Sequence, residues 1–324
     1  MAGYKNKSAK ILTGSNDVIG TLDSTVSISF PTPPKFQGSN FGYASGGFAP
    51  PFIVNTIDKF PFAADANATD VGDLTQGKYR SAGQSSDTSG YTSGGRTSGF
   101  PGEVNTVDKF PFATDANATD VGDLTDTRYG VVGQSSLVSG YGYTSGGYSP
   151  PVLLNIIDKF PFAADSNATD IGDLTVARVD GAGQNSIVSG YTSGGQFPVS
   201  NVIDKFPFAA DANATDVGDL TQARVYVAGQ SSEVSGYTSS GSGPLDTIDK
   251  FPFAADANAT DVGDLTQGRG GTAGQSSLAS GYTSGGSTPA RVNTIDKFPF
   301  AADANATDVG DLTQARNSAA GQQY

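Results

Sequence analysis

The chain has no histidine, no cysteine and no tryptophan, and only one methionine among its 324 residues. Without cysteine there is neither a disulfide framework nor a thiolate nucleophile, and the redox compartment stays open. Without histidine the commonest general base and the commonest metal ligand are missing, so Ser-His-Asp triads and His-ligated zinc are excluded. Cations are scarce too: 19 Lys and Arg stand against 32 Asp and Glu, a formal charge of -13. Nucleic acid is not an expected partner, because phosphate-backbone binding needs clustered Lys and Arg. Long apolar runs are absent, and none approaches the roughly 18 residues of a spanning helix. Behind Lys5, Lys7 and Lys10, the run Ile11-Leu12-Thr13-Gly14-Ser15-Asn16-Asp17 is too short and polar for a signal-peptide core. A Sec-type route is therefore not expected.

What the chain does have is repetition. The stretch Ile57-Asp58-Lys59-Phe60-Pro61-Phe62-Ala63-Ala64-Asp65-Ala66-Asn67-Ala68-Thr69-Asp70-Val71-Gly72-Asp73-Leu74-Thr75 returns with its Asp-Lys-Phe at Asp108, Asp158, Asp204, Asp249 and Asp296. Self-similarity at such a period means a unit that cannot bury its apolar face alone and must stack on its neighbour. The spacing predicts one domain over 41–324, preceded by an arm and Pro-rich linker over 1–40. In that leader Val26 to Phe30 alternates as a strand does, and Pro31-Thr32-Pro33-Pro34 imposes an extended segment. The arm reads either as a docking peptide or as an edge-covering tail.

Each unit divides into four short strands. Strand a is of the Ala82-Gly83-Gln84-Ser85-Ser86 type, and strand b is the Gly90-Tyr91-Thr92-Ser93-Gly94-Gly95 type. The paired glycines inside b predict a close backbone neighbour. Strand c runs from Asn55 to Phe62, with Phe60 and Phe62 on one face and Ile57 on the other, the pattern of a strand held between two sheets. Strand d lies near Val71 to Thr75, and the parity of Val71 and Leu74 predicts a bulge at Gly72-Asp73. One cation follows each strand d, at Lys78, Arg128, Arg178, Arg224, Arg269 and Arg316, and predicts a structural ion pair with the Asp58-type carboxylate.

Four-stranded meanders repeated four to eight times form a β-propeller. The last residues, Ala320 to Tyr324, read as a strand a without a strand b, and Phe41-Gly42-Tyr43 as a strand b without a strand a. The prediction is an all-β, six-bladed β-propeller of four-stranded antiparallel blades, its ring closed by the C-terminal strand pairing with the first repeat. Closure would also hide two sheet edges that invite aggregation.

The paired glycine after strand b, the aromatic strand c and the Arg before strand a resemble the kelch-type propeller repeat over 41–324. Departures are the missing tryptophan near strand d, replaced by Val71 and Leu74, and Ser240-Gly241 in place of one glycine pair. The wording of the repeat also resembles repeat proteins of marine bacteriophages. That resemblance implies a virion component, made in the host cytoplasm, and not an enzyme.

In a meander the b–c loops and d–a connections share one end. The b–c loops differ in every unit, and the d–a connections vary as well, whereas the turn from Asp65 to Asp70 is nearly constant. Loops on a rigid scaffold carry recognition, so this end is the predicted contact face, with Phe48, Phe52, Phe100, Tyr129, Tyr148, Phe197 and Tyr226 as anchors. Unconstrained drift in loops is the other explanation.

The stretch with Asp65, Asn67 and Asp70 superficially resembles an oxygen-ligand calcium loop, but the EF-hand's ligand at position 5, Gly at position 6 and Glu at position 12 are missing, and ordinary turn hydrogen bonding competes with that reading. Asn67-Ala68-Thr69 and its copies match a glycosylation acceptor pattern and are read as turns. Repeated carboxylates do not suggest a glycosidase, since its two catalytic acids need two different environments. No cofactor is implied. Two functions compete: a non-enzymatic virion structural or attachment protein docked through residues 1–40, and a lectin-like propeller binding a glycan at several equivalent sites.

Overall fold

The computed structural model describes residues 9–12, 18–22, 38–97, 101–243 and 245–324. The strand at Val26 to Phe30, the Pro31 to Pro34 segment and Phe100 lie outside the described residues. The chain divides between Pro33 and Pro34. In the first unit Ala9–Leu12 pairs antiparallel with Val18–Leu22, a hairpin not expected from the sequence.

The second unit is a six-bladed propeller. Each blade is a four-stranded antiparallel sheet in meander order, as in Ala82–Ser85, Ser89–Ser93, Thr106–Pro111 and Thr119–Asp123. The remaining blade is made from both ends of the unit: Ala320–Gln323 lies beside Phe41–Ser45, followed by Thr56–Pro61 and Thr69–Asp73. Its register sets Tyr43 opposite Gln322 and Ala44 opposite Gly321, so the predicted closure is realised.

Hydrophobic burial lies between blades, because each strand c has two apolar faces. Ile57 packs with Tyr43, Leu74 and the next blade's Phe110 and Phe112, while Phe60 and Phe62 pack against Tyr282 and Ile295 of the blade before. Burying side chains of this size removes about 1.5–3 kcal/mol each from the cost of folding. Tyr43 lies 4.9 Å from Phe112 by ring centroids, and the same tyrosine-to-phenylalanine contact recurs from blade to blade, as in Tyr191 with Phe253.

Three local expectations are corrected. The glycine pair does not lie inside strand b but ends it: Gly46 and Gly47 follow Phe41–Ser45 with φ of 65° and 116°, turning the chain where a side chain would be strained. Close approach is real there as well, since a Cβ on Gly46 would stand 2.4 Å from the Lys78 carbonyl oxygen. The bulge sits one residue earlier than expected. Ile57 faces Gly72 and Asp58 faces Asp70, leaving Val71 unpaired. Finally, several b–c loops contain short paired strands, such as Phe48–Ala49 with Phe52–Ile53.

The constant polar residues tie blade to blade. Each strand-a glutamine is buried and donates to the next blade's strand b, as Gln84 Nε2 does to the Tyr143 carbonyl at 3.0 Å and Gln275 Nε2 to the Tyr43 carbonyl at 2.9 Å. The Asn67-type side chains were read only as turn residues, yet each accepts a backbone N–H from the neighbouring blade, as Asn117 Oδ1 does from Asp73 N at 3.0 Å. Outer rims are joined by Lys to Asp pairs such as Lys59 with Asp115.

The expected ion pair is present, and it links blades. Arg178 Nη2 lies 2.7 Å from Asp204 Oδ2, with side chains 2% and 0% exposed. The ring of such pairs closes through Arg316 and Asp58. The carboxylate also accepts from the preceding strand-d end: Asp204 takes the Thr175 N–H at 3.0 Å and its hydroxyl at 2.6 Å. Burial pulls the pKa of each of these arginines, and of Lys78, below its ordinary value, while the paired carboxylate pushes it back up.

Lys78 is the one copy that is not arginine, and its Nζ stands 3.3 Å from Asp108. A guanidinium fork is better matched to a carboxylate and a carbonyl together. Lys78→Arg is therefore expected to raise stability by about 0.5–1 kcal/mol, read as a higher denaturant midpoint. A lower midpoint would contradict the geometric argument.

Candidate functional site

The d–a connections meet around the propeller axis on the variable face. One residue of each is left-handed: Arg80, Asp180, Tyr226 and Ser318 have φ of 54°, 58°, 62° and 57°, and glycine fills the equivalent places at 130 and 271. These six residues form a closed hydrogen-bonded ring. Gly130 N donates to Arg80 O at 2.8 Å, Asp180 N to Gly130 O at 2.8 Å, and the circuit ends with Arg80 N on Ser318 O at 2.9 Å. The backbone is thus six-fold regular while the side chains it carries are arginine, glycine, aspartate, tyrosine, glycine and serine.

This regular ring with irregular side chains makes the face asymmetric. Arg80 reaches across to ion-pair with Asp180, its Nε 2.8 Å from Oδ1. Burial lowers the Arg80 pKa, but the Asp180 charge and hydrogen bond outweigh it, and the net shift is upward. The same guanidinium lies 4.6 Å from the Tyr129 ring centroid and 5.3 Å from that of Tyr226. Gln196 completes the group by donating to Asp180 Oδ2 at 2.9 Å.

The b–c loops are knitted to the connections. Phe48 bridges Asn317, Tyr79 bridges Arg96, Tyr129 bridges Tyr148 and Val179 bridges Gln196. Both variable sets therefore build a single surface, as the sequence predicts.

Two large cavities open on it. One of about 490 Å³ is lined by Tyr129, Tyr148, Phe197, Tyr226 and Leu153, among others. The other, about 580 Å³, lies where the connections and loops are smallest, over Gly241, Gly243, Gly270 and Gly271, with Phe48, Tyr226 and Arg291 as walls. The predicted anchors thus separate. Tyr129, Tyr148, Phe197 and Tyr226 converge on one cavity, Phe48 and Tyr226 on the other, and Phe52 lines neither and is 69% exposed. Sequence reasoning missed Arg80, Asp180 and Arg291. The d–a connections vary visibly in the sequence, but nothing in the linear order brings Arg80 to Asp180, one hundred positions away.

The calcium candidates are engaged separately. Asp65 pairs with Lys297 at 2.9 Å, Asn67 accepts from Asp311 N at 3.1 Å, and Asp70 accepts from Gly72 N at 3.1 Å. Among the described residues no group of three or more acidic side chains is arranged to hold a metal.

The fold and its axial face define a β-propeller with one patterned surface. A comparison of the chain with protein-family models and with curated proteins returned no match.

Proposed function

We propose that the chain is a non-enzymatic structural and attachment protein of a virion, of capsid-decoration or tail-fibre type, that presents its variable face to a host surface. One observation carries this reading. The constant polar residues are spent on holding blades together, while the two longest variable sets, the b–c loops and the d–a connections, meet on the single face where both large cavities lie. Rigid scaffolds bind through such loops. The resemblance of the repeat wording to bacteriophage repeat proteins supports the same assignment.

Docking through residues 1–40 agrees with where the propeller starts. Gly38 donates to the Ser276 carbonyl, at the a–b turns, which lie on the face opposite the variable one. On these turns Val138, Ile187, Val188, Val234 and Leu278 are exposed, and an apolar set of this kind suits contact with a larger assembly.

The lectin-like alternative with equivalent pockets has less in its favour, because residues that differ from blade to blade line both cavities. The deciding experiment is fractionation of the native source. The full chain is expected to sediment with particles and to be released by deleting residues 1–37. Recovery of the native chain wholly as a free monomer would reject the assignment.

A further inference from the structure

The cations of the propeller are almost all consumed. Its described lysines and arginines form ion pairs with Asp or Glu, from the blade-to-blade set to Arg80 with Asp180 and Arg96 with Glu103, with one exception, Arg291. The Arg291 side chain makes no hydrogen bond, and its Nε is buried without a partner. Its guanidinium stands 5.0 Å from the Phe48 ring centroid, in the wall of the 580 Å³ cavity. A guanidinium held against an aromatic ring and lacking a counter-charge is unusual in a chain with 32 acidic residues, where a carboxylate partner would be easy to supply.

We propose that this cavity binds one carboxylate-bearing sugar residue, with Arg291 as the partner of the carboxylate. Arginine takes a carboxylate through two parallel N–H bonds. A cavity of this volume suits a ligand of one or two sugar rings. Phe48, Tyr79 and Tyr226 offer ring surface to the apolar C–H face of a pyranose, and Thr288 and Ser318 place hydroxyl groups at the same lining. A single unpaired cation matches a single negative charge. The net charge of -13 disfavours a densely charged polyanion, whose many charges would meet a like-charged surface.

The inference deepens the attachment reading by naming a ligand class. It is tested apart from it, because free sugars report on the cavity whether or not the chain belongs to a virion. Methyl glucuronoside, methyl glucoside and acetate would be titrated into the full chain and followed by ligand-observed NMR. The glucuronoside is expected to bind at least tenfold more tightly than either of the others. Arg291→Gln removes no ion pair and should keep the melting temperature while weakening glucuronoside binding at least tenfold. Thr288→Trp, which fills the cavity from its rim, should weaken it likewise. Equal binding of methyl glucoside would show that no carboxylate is read, and equal binding of acetate that no sugar is read. Either result, no binding of the glucuronoside at all, or unchanged binding in folded Arg291→Gln, would overturn the proposal.

Discussion

Gly183→Ala is expected to destabilise the propeller by about 4 kcal/mol or more, the range reserved for backbone-level disruption. The innermost strands approach the axis so closely that a Cβ on Gly183 would stand 2.0 Å from the Gly133 carbonyl oxygen. Gly133 would meet Gly83 at 2.2 Å, and the series returns through Gly229, Gly274 and Gly321 to Gly83, whose Cβ would lie 2.1 Å from Gly321 O. No side chain can rotate away, since the nearest obstacle in each case is backbone belonging to the preceding blade. Relief requires the ring to widen, which would strain all six blades at once. Gly140→Ala is the matching control: its φ is 76° and nothing lies within 4 Å, so it carries only the left-handed penalty of about 1–2 kcal/mol. Denaturant midpoints of the two variants should differ several-fold in their shifts. Equal shifts would mean that the axis is not packed this tightly.

Asp204→Ala should cost about 3–5 kcal/mol, the typical loss when one member of a buried ion pair is removed. The substitution leaves Arg178 charged at 2% exposure with no counter-ion, and it strands the Thr175 N–H and hydroxyl that Asp204 now accepts. Replacing both partners, as in Arg178→Met with Asp204→Leu, should recover part of the loss, because the pair's own net contribution is small once its desolvation is counted. A double variant as unstable as Asp204→Ala alone would show that the carboxylate matters through Thr175 and not through the arginine. Asp204→Asn, which can still accept from Thr175, separates these two contributions.

Much of the architecture is legible in the linear chain because a repeat states its rules several times over. The period, the two apolar faces of strand c and the cation after each strand d could be compared across copies, and what stays constant is what neighbouring blades must share. Phe60, Ile57 and Arg178 were therefore readable as packing and pairing residues before any contact was known. Asn67 and Gln84 were not, because an asparagine in a turn and a glutamine in a strand have local explanations that end the inquiry. Their true partners sit on the next blade, and hydrogen bonds across that gap have no signature in spacing. The axial glycines carry no signature in the linear chain for the same reason: Gly83 is like any strand glycine until six copies meet.

The sequence by itself determined the all-β meander, the number of blades, the closure through Ala320–Gln323 and the gathering of the b–c loops and d–a connections at one end, since these follow from periodicity and turn chemistry. Tertiary structure alone decided which variable residues act together. Ring closure brings positions fifty or a hundred residues apart to one axis, where Arg80 finds Asp180, small residues open a cavity and Arg291 is left without a counter-charge. Those juxtapositions depend on the curvature of the whole ring, and no single repeat contains it.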